Sequence, residues 1–160
     1  MEQLGPRKEV VPVLIEHILY GKGRDVATIG PKASIAEAVA LLREHNVGAL
    51  VVVAAKSRIA GILSERDIVR ALADETIGHT EILKRRVSDL MTGEVTTCGS
   101  RSSVNDLMRV MTDRRIRHVP VVDDGGLNGI VSIGDVVKSR IEELETEAGT
   151  LHDYLSSGRT

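Results

Sequence analysis

The chain is almost without aromatic side chains: its 160 residues include two Tyr, no Phe and no Trp. Single-stranded nucleic acids are usually gripped by stacking bases on aromatic rings, so that partner is not expected. Any bound base would be held by aliphatic side chains and backbone. Net charge is -2 and the pI about 6.2, without the basic excess of a nonspecific nucleic-acid binder. A lone cysteine, Cys98, excludes an internal disulfide framework and fits a reducing compartment. No apolar run approaches membrane-spanning length, and residues 1–7 lack an apolar signal core. The expectation is a soluble, cytoplasmic protein with no membrane partner.

Catalytic signatures are missing too. The five histidines have no spacing that builds a metal site with Cys98. There is no Walker motif, no Gly-x-Gly-x-x-Gly after a strand, and no Ser, His and Asp set suited to nucleophilic work. The chain reads as a non-enzyme.

What is present is ordinary globular material, 42% hydrophobic and 28% charged, with a core drawn from Val, Ile, Leu, Ala and Met. It is written twice. Val26-Ala27-Thr28-Ile29-Gly30 is echoed by Val95-Thr96-Thr97-Cys98-Gly99. Ala60-Gly61-Ile62-Leu63-Ser64-Glu65-Arg66-Asp67 is echoed by Asn128-Gly129-Ile130-Val131-Ser132-Ile133-Gly134-Asp135. One residue is lost between the copies, most simply in the turn between Ala55 and Ile59. Two copies of one supersecondary unit imply two facing modules with a pseudo-symmetric cleft between them.

Each copy reads as strand, helix, strand, turn, strand, helix. In the first, Val26 to Ile29 is a short strand. Ser34 with Glu37 forms a capping box for a helix whose stripe is Ile35, Ala38, Val39 and Leu42. Leu50 to Val53 and Ile59 to Ser64 are strands, and Glu65 to Ala73 is a helix. The second copy repeats this with Ser103 as N-cap, Val104, Leu107, Met108 and Val110-Met111 as the stripe, and strands at Val119 to Val122 and Leu127 to Ser132. Pro120 can give no ladder hydrogen bond, so it belongs at a strand start or a sheet edge. A leading helix runs from Val11 to Tyr20, with Pro12 in its first turn, and its Ile15 to Leu19 match Val87 to Met91 before the second copy. Asp74 to Arg86 is a linker with one helical turn. The last helix carries Val137, Ile141, Leu144, Ala148, Leu151 and Leu155, a four-three stripe that suits a dimer contact. A long coiled coil is not expected, because Gly149 weakens its middle.

The chemistry concentrates in Gly-x-x-Ser-x-x-Asp, as Gly61, Ser64, Asp67 and as Gly129, Ser132, Asp135. Each lies where a strand turns into a helix, whose free N–H groups favour phosphate. The Ser hydroxyl can donate to phosphate, and the Asp can accept from both ribose hydroxyls. The Gly would let a ligand lie close to the strand. Ser-x-x-Asp is also a helix-capping pattern. Its repetition, and the use of Asp where Glu closes a capping box better, favour a binding role. The backbone of Ile116-Arg117-His118-Val119-Pro120 can pair with a base edge, and Arg117 can fork onto phosphate. Arg66 is a second phosphate candidate. Its counterpart is Gly134, so the sites should be unequal, with the better one around Arg117, Ser132 and Asp135 and Arg66 reaching across.

The strand-helix-strand-strand-helix unit with its closing Gly-x-x-Ser-x-x-Asp resembles a CBS domain, and the tandem resembles a CBS pair, or Bateman module, over roughly residues 10–143. The carriers are Val87-Ser88-Asp89-Leu90-Met91-Thr92, Arg117 to Asp123 and Gly129 to Asp135. The resemblance implies an α+β fold of two β-α-β-β-α units about a pseudo-two-fold axis, at residues 8–76 and 87–143. Residues 77–86 link them and 144–160 form a helical extension. It implies an adenosine-type ligand such as AMP, ADP, ATP, NAD(H) or S-adenosylmethionine. The same likeness assigns the ribose to Asp67 and Asp135, ribose or phosphate to Ser64 and Ser132, and the adenine to backbone at Thr28, Ala49, Thr97 and His118. The first copy departs from the family pattern in having Gly48 and Ala49 where the second has Arg117 and His118. The implied function is a nucleotide sensor, a homodimer acting in trans on a protein target. The alternative is a dimerisation or docking module with a vestigial cleft.

Overall fold

The computed structural model describes residues 11–158; the loose start expected for residues 1–10 lies outside them. The elements run α1 (Ile15–Lys22), β1 (Thr28–Ile29), α2 (Ile35–His45), β2 (Ala49–Val53), β3 (Ile59–Ser64), α3 (Glu65–Leu72), α4 (His79–Lys84), α5 (Val87–Leu90), α6 (Val104–Arg114), β4 (His118–Asp123), β5 (Gly126–Ser132) and α7 (Ile133–Ser157). This is the expected α+β architecture with a long last helix.

The repetition extends to the ladder. In one sheet β2 pairs antiparallel with β3, Ala49 opposite Ser64, and the register shifts between Val52 and Val53. In the other, β4 pairs with β5, His118 opposite Ser132, and the shift falls between Val121 and Val122. The two bulges occupy equivalent positions. The connecting turns differ, as the missing residue requires. A 3-10 turn with left-handed Lys56 and Ser57 joins β2 to β3, whereas Asp124 and Gly125 make a tight turn at positive φ before β5.

The first strands are not equivalent. Thr28 and Ile29 pair parallel with Val51 and Val52, and the Val51 N–H donates to the Ala27 carbonyl at 3.1 Å. In the second copy Pro120 stands where Val51 stands and has no N–H to give. The first strand there shrinks to one bridge between Cys98 and Val121, with Cys98 N–H donating to the Pro120 carbonyl at 3.1 Å. Pro120 is thus third in its strand rather than at its start, with its bare nitrogen on the weakly paired side.

Two cores form, and each borrows a helix from the other copy. Ile15, Ile18 and Leu19 of α1 pack with Val104, Leu107, Met111, Val119, Val121, Val131 and Val136. Val87 of α5 packs with Ile29, Ile35, Ala38, Leu50, Val52, Leu63 and Ile68. Backbone bonds fix the exchange: Ile15 N–H donates to Ser102 O at 2.9 Å, and Val87 N–H to Ala33 O at 2.8 Å. The same contact overturns one expectation. Leu14 bridges to Ser103, and the Val13 carbonyl accepts Val104 N–H at 2.9 Å. The chain is therefore extended there, and α1 starts at Ile15 rather than near Pro12.

Ser34 and Glu37 close the expected capping box, and Ser103 caps α6. Val39, placed on the buried stripe of α2, is 40% exposed. α7 continues unbroken through Gly149. It touches the body through Val136 and Ser139, and every residue from Leu144 to Gly158 is exposed.

Candidate functional site

The local chemistry of both closing motifs is a cap. Ser64 Oγ accepts from the Asp67 N–H at 3.3 Å, and Asp67 Oδ2 accepts from the Ser64 N–H at 2.9 Å. Ser132 and Asp135 repeat this at 3.2 and 2.8 Å. Asp closes the box as Glu would, so the choice of Asp did not by itself argue against capping. The arrangement leaves a resource, because each box uses only Oδ2, and no side-chain hydrogen bond among the described residues reaches Oδ1 of either carboxylate.

Nor do the glycines face a ligand. A β-carbon on Gly61 would lie 2.6 Å from Met91 Sδ and 2.7 Å from the Thr92 carbonyl, and one on Gly129 would lie 2.7 Å from Leu19 Cδ2. The close approach that excludes a side chain is that of the exchanged segments. Thr92 seals it by trading N–H and carbonyl with Ile62 at 2.9 and 3.0 Å.

A cavity of about 420 Å³ opens between the N-terminus of α3 and the second copy. Ser64, Arg66 and Asp67 line it from the first copy, and Thr96, Arg117 and His118 from the second. The closing motif of one copy thus meets the middle-strand opening of the other. The expected grouping of Arg117 with Ser132 and Asp135 is replaced by Arg117 with Ser64 and Asp67. Arg66 does reach across, donating to the Arg115 carbonyl at 3.1 Å. Ser132, Asp135 and the strand residues Val119 and Pro120 lie outside this lining. Ala49 is buried, and Thr28 and Thr97 are exposed away from it.

Several lining residues escaped the sequence reading. Thr96, rather than Thr97, faces the cavity, and Arg114 Nη1 donates to its Oγ1 at 3.0 Å. Arg114 and Arg115 carried a readable signal, three arginines within Arg114-Arg115-Ile116-Arg117. The walls hold Arg66, Arg70, Arg114, Arg115 and Arg117 against Glu65, Asp67 and Glu94, a net positive surface. Ile62, Val95 and Ile116 supply an aliphatic patch beside it. Arg115 is left-handed, φ 54, where its counterpart Asn46 has φ 50. Asn tolerates that region and Arg rarely enters it, so backbone strain is being held at the cavity wall.

His118 sits where the copies meet, against Gly48 and Glu65. Burial pushes its imidazole below the usual value; the charges of Glu65 and Asp135 oppose this, and those of Lys22 and Arg117 add to it. Burial raises the Asp135 carboxyl, but bonds from Lys22 and the Ser132 N–H outweigh it and leave it below the carboxylate norm. Cys98 is pushed up to about 11 by burial and the nearby Asp123 charge, which marks it as a packing residue. Among the described residues no His, Cys, Asp and Glu cluster could hold a metal, and no helix is long and apolar enough to cross a membrane.

Fold and cavity together define a tandem α+β module whose two halves share a cationic cleft. Comparison with known proteins supplies the family. The CBS-domain family profile matches residues 22–74 and 87–142. The mitochondrial CBS domain-containing protein CBSX3 of Arabidopsis thaliana is 39% identical over 129 residues, covering 78% of this chain and 61% of its own length. The chain thus spans about three fifths of that relative. The crystal structure of a CBS-domain protein from Agrobacterium tumefaciens superposes with a TM-score of 0.76 at 45% identity, over 80% of this chain and 99% of the other. The CBS domain pair of protein MJ0100, solved with 5′-methylthioadenosine and S-adenosyl-L-methionine, gives 0.72 at 28% identity, over 83% and 99%. The chain belongs to the CBS-domain family and carries the domain as a pair.

Proposed function

We propose that this chain is a regulatory module that binds an adenine nucleotide in the Asp67 cavity and acts in trans on a partner, without catalysis of its own. The observation that carries the reading is the composition of that cavity. An aliphatic wall of Ile62, Val95 and Ile116 suits a base, Asp67 Oδ1 suits ribose hydroxyls, and the arginines around the mouth suit phosphates. CBS pairs are generally regulatory, and the MJ0100 pair holds two adenosine-containing ligands. AMP, ADP, ATP and NAD(H) share the chemistry the cavity offers.

Signalling follows from position. The wall joins α3 of the first copy to the Arg114–His118 segment of the second, so a ligand that prefers one spacing of the halves shifts their equilibrium by its differential affinity. Mass spectrometry of the small molecule that copurifies with the protein tests the reading. Adding AMP or ATP at about one hundred times Kd should raise stability by about 2.7 kcal/mol, or roughly 5–10 °C in Tm for this size. No retained ligand and no shift with AMP, ATP or NADH would remove it.

A second role rests on α7. Val137, Ile141, Leu144, Leu151 and Leu155 are all at least 46% exposed, along a helix that leaves its own body after Glu143. A helical stripe of this kind serves dimerisation or docking to a protein target.

A further inference from the structure

The two closing carboxylates keep different company. Among the described residues, Asp67 is bonded only within its own helix cap. Asp135 also binds Lys22, whose Nζ lies 2.6 Å from Oδ2 and donates to the Ile130 carbonyl at 3.0 Å. Ile130 is the counterpart of Ile62, whose carbonyl accepts the Thr92 N–H at 2.9 Å. In the first copy a backbone N–H satisfies that carbonyl and, among the described residues, no cation forms an ion pair with the carboxylate. In the second, an ammonium tethered at the end of α1 serves carbonyl and carboxylate together.

The surroundings differ in the same sense. By the repeat alignment, Arg66, Arg115 and Arg117 of the Asp67 cavity correspond to Gly134, Asn46 and Gly48. The aliphatic wall is kept, since Ile62, Val95 and Ile116 correspond to Ile130, Val26 and Val47. The Asp135 side therefore keeps aliphatic counterparts, has no arginine at the positions matching Arg66, Arg115 and Arg117, and has its carboxylate already engaged by Lys22 in a charge-assisted bond, the stronger kind.

We infer that Lys22 stands in for a ligand at the Asp135 carboxylate, so that each chain takes one nucleotide, in the Asp67 cavity; this rests on the reading of that cavity as the nucleotide site. A nucleotide entering beside Asp135 would have to displace the ammonium and would meet Gly134, Asn46 and Gly48 at the positions that match Arg66, Arg115 and Arg117. Removing the ammonium leaves a pocket for an uncharged nucleoside, indifferent to phosphate.

Equilibrium dialysis with AMP and with adenosine tests this. The wild-type chain should bind one AMP. Lys22→Met, which keeps the aliphatic stem, should bind a second equivalent at a site that adenosine fills as well as AMP does. Two equivalents in the wild type, or one in a folded Lys22→Met protein, would overturn the inference. If Lys22→Met does not fold, acylation of Lys22 in the wild type by an amine-reactive ester, read by mass spectrometry, decides the matter. Its rate should be unchanged by saturating AMP, and a several-fold rise would show that ligand displaces it. No AMP bound by either protein is a different outcome, which removes the nucleotide reading of the Asp67 cavity and this inference with it.

Discussion

Leu19 lies so close over Gly129 that a β-carbon on the glycine would stand 2.7 Å from Leu19 Cδ2. At the equivalent place Gly61 faces Met91 Sδ at 2.6 Å and the Thr92 carbonyl at 2.7 Å. Both glycines serve the exchange of leading segments between the copies. Gly61→Ala should therefore destabilise more than Gly129→Ala, because a backbone carbonyl cannot swing aside as a leucine methyl can. Overpacking of this kind costs about 1–3 kcal/mol. Urea unfolding of the two variants should place Gly61→Ala near the upper end and Gly129→Ala near the lower.

Arg115 should show opposed effects on stability and binding. It holds a left-handed conformation that its counterpart Asn46 accommodates more easily. Arg115→Asn should raise stability by about 1 kcal/mol through relief of that strain. It should also weaken AMP binding about tenfold or more, the worth of one hydrogen bond to a charged group. Thermal denaturation and a nucleotide titration on the same preparation check both halves.

Stability should fall on mild acidification through His118. Its imidazole is held below the ordinary value of 6.5, so as pH drops through that value the unfolded chain takes up a proton that the folded chain refuses. The unfolded state then binds more protons, and stability declines. The contribution is complete above the unfolded pKa and is lost as pH falls toward the folded one. Urea midpoints measured from pH 8 to pH 5 should be flat and then decline below about 6.5, and His118→Gln should flatten the decline.

The α7 stripe predicts a concentration-dependent dimer. Leu151→Asp places a charge in the exposed part of the stripe, far from the cavity. Light scattering should show the mass falling from dimer to monomer while AMP affinity stays unchanged. A monomeric wild type would assign the stripe to a different protein.

Local features were legible in the sequence because their causes are local. The Ser34–Glu37 capping box, the stripes of α2 (Val39 apart) and α6 and the two middle strands follow from side chains within a few residues of one another. The repeat announced two like units, and the structure adds that their hairpins share register and equivalent bulges. The exchange of α1 and α5 was not legible, since an apolar stripe says that a helix is buried and not against which core. The roles of Gly61 and Gly129 were misplaced for the same reason: their obstacles, Met91 and Leu19, are distant in sequence. The cavity divided likewise. Arg66, Arg117 and the Ser-Asp pairs could be found by residue type, but which pair meets Arg117 depends on how the copies face each other. Thr96 lines the cavity where Thr97 was expected, because which of two adjacent threonines faces inward is set by the path of a segment that belongs to no strand.

Calorimetric titration of AMP into the wild type and into Asp67→Ala tests the central claim most directly. The wild type should give a saturable binding heat. The variant should stay folded with about 1 kcal/mol lost from its cap and bind about tenfold to a hundredfold more weakly. Equal affinity in the two proteins, or no heat from the wild type with AMP, ATP or NADH, would contradict it.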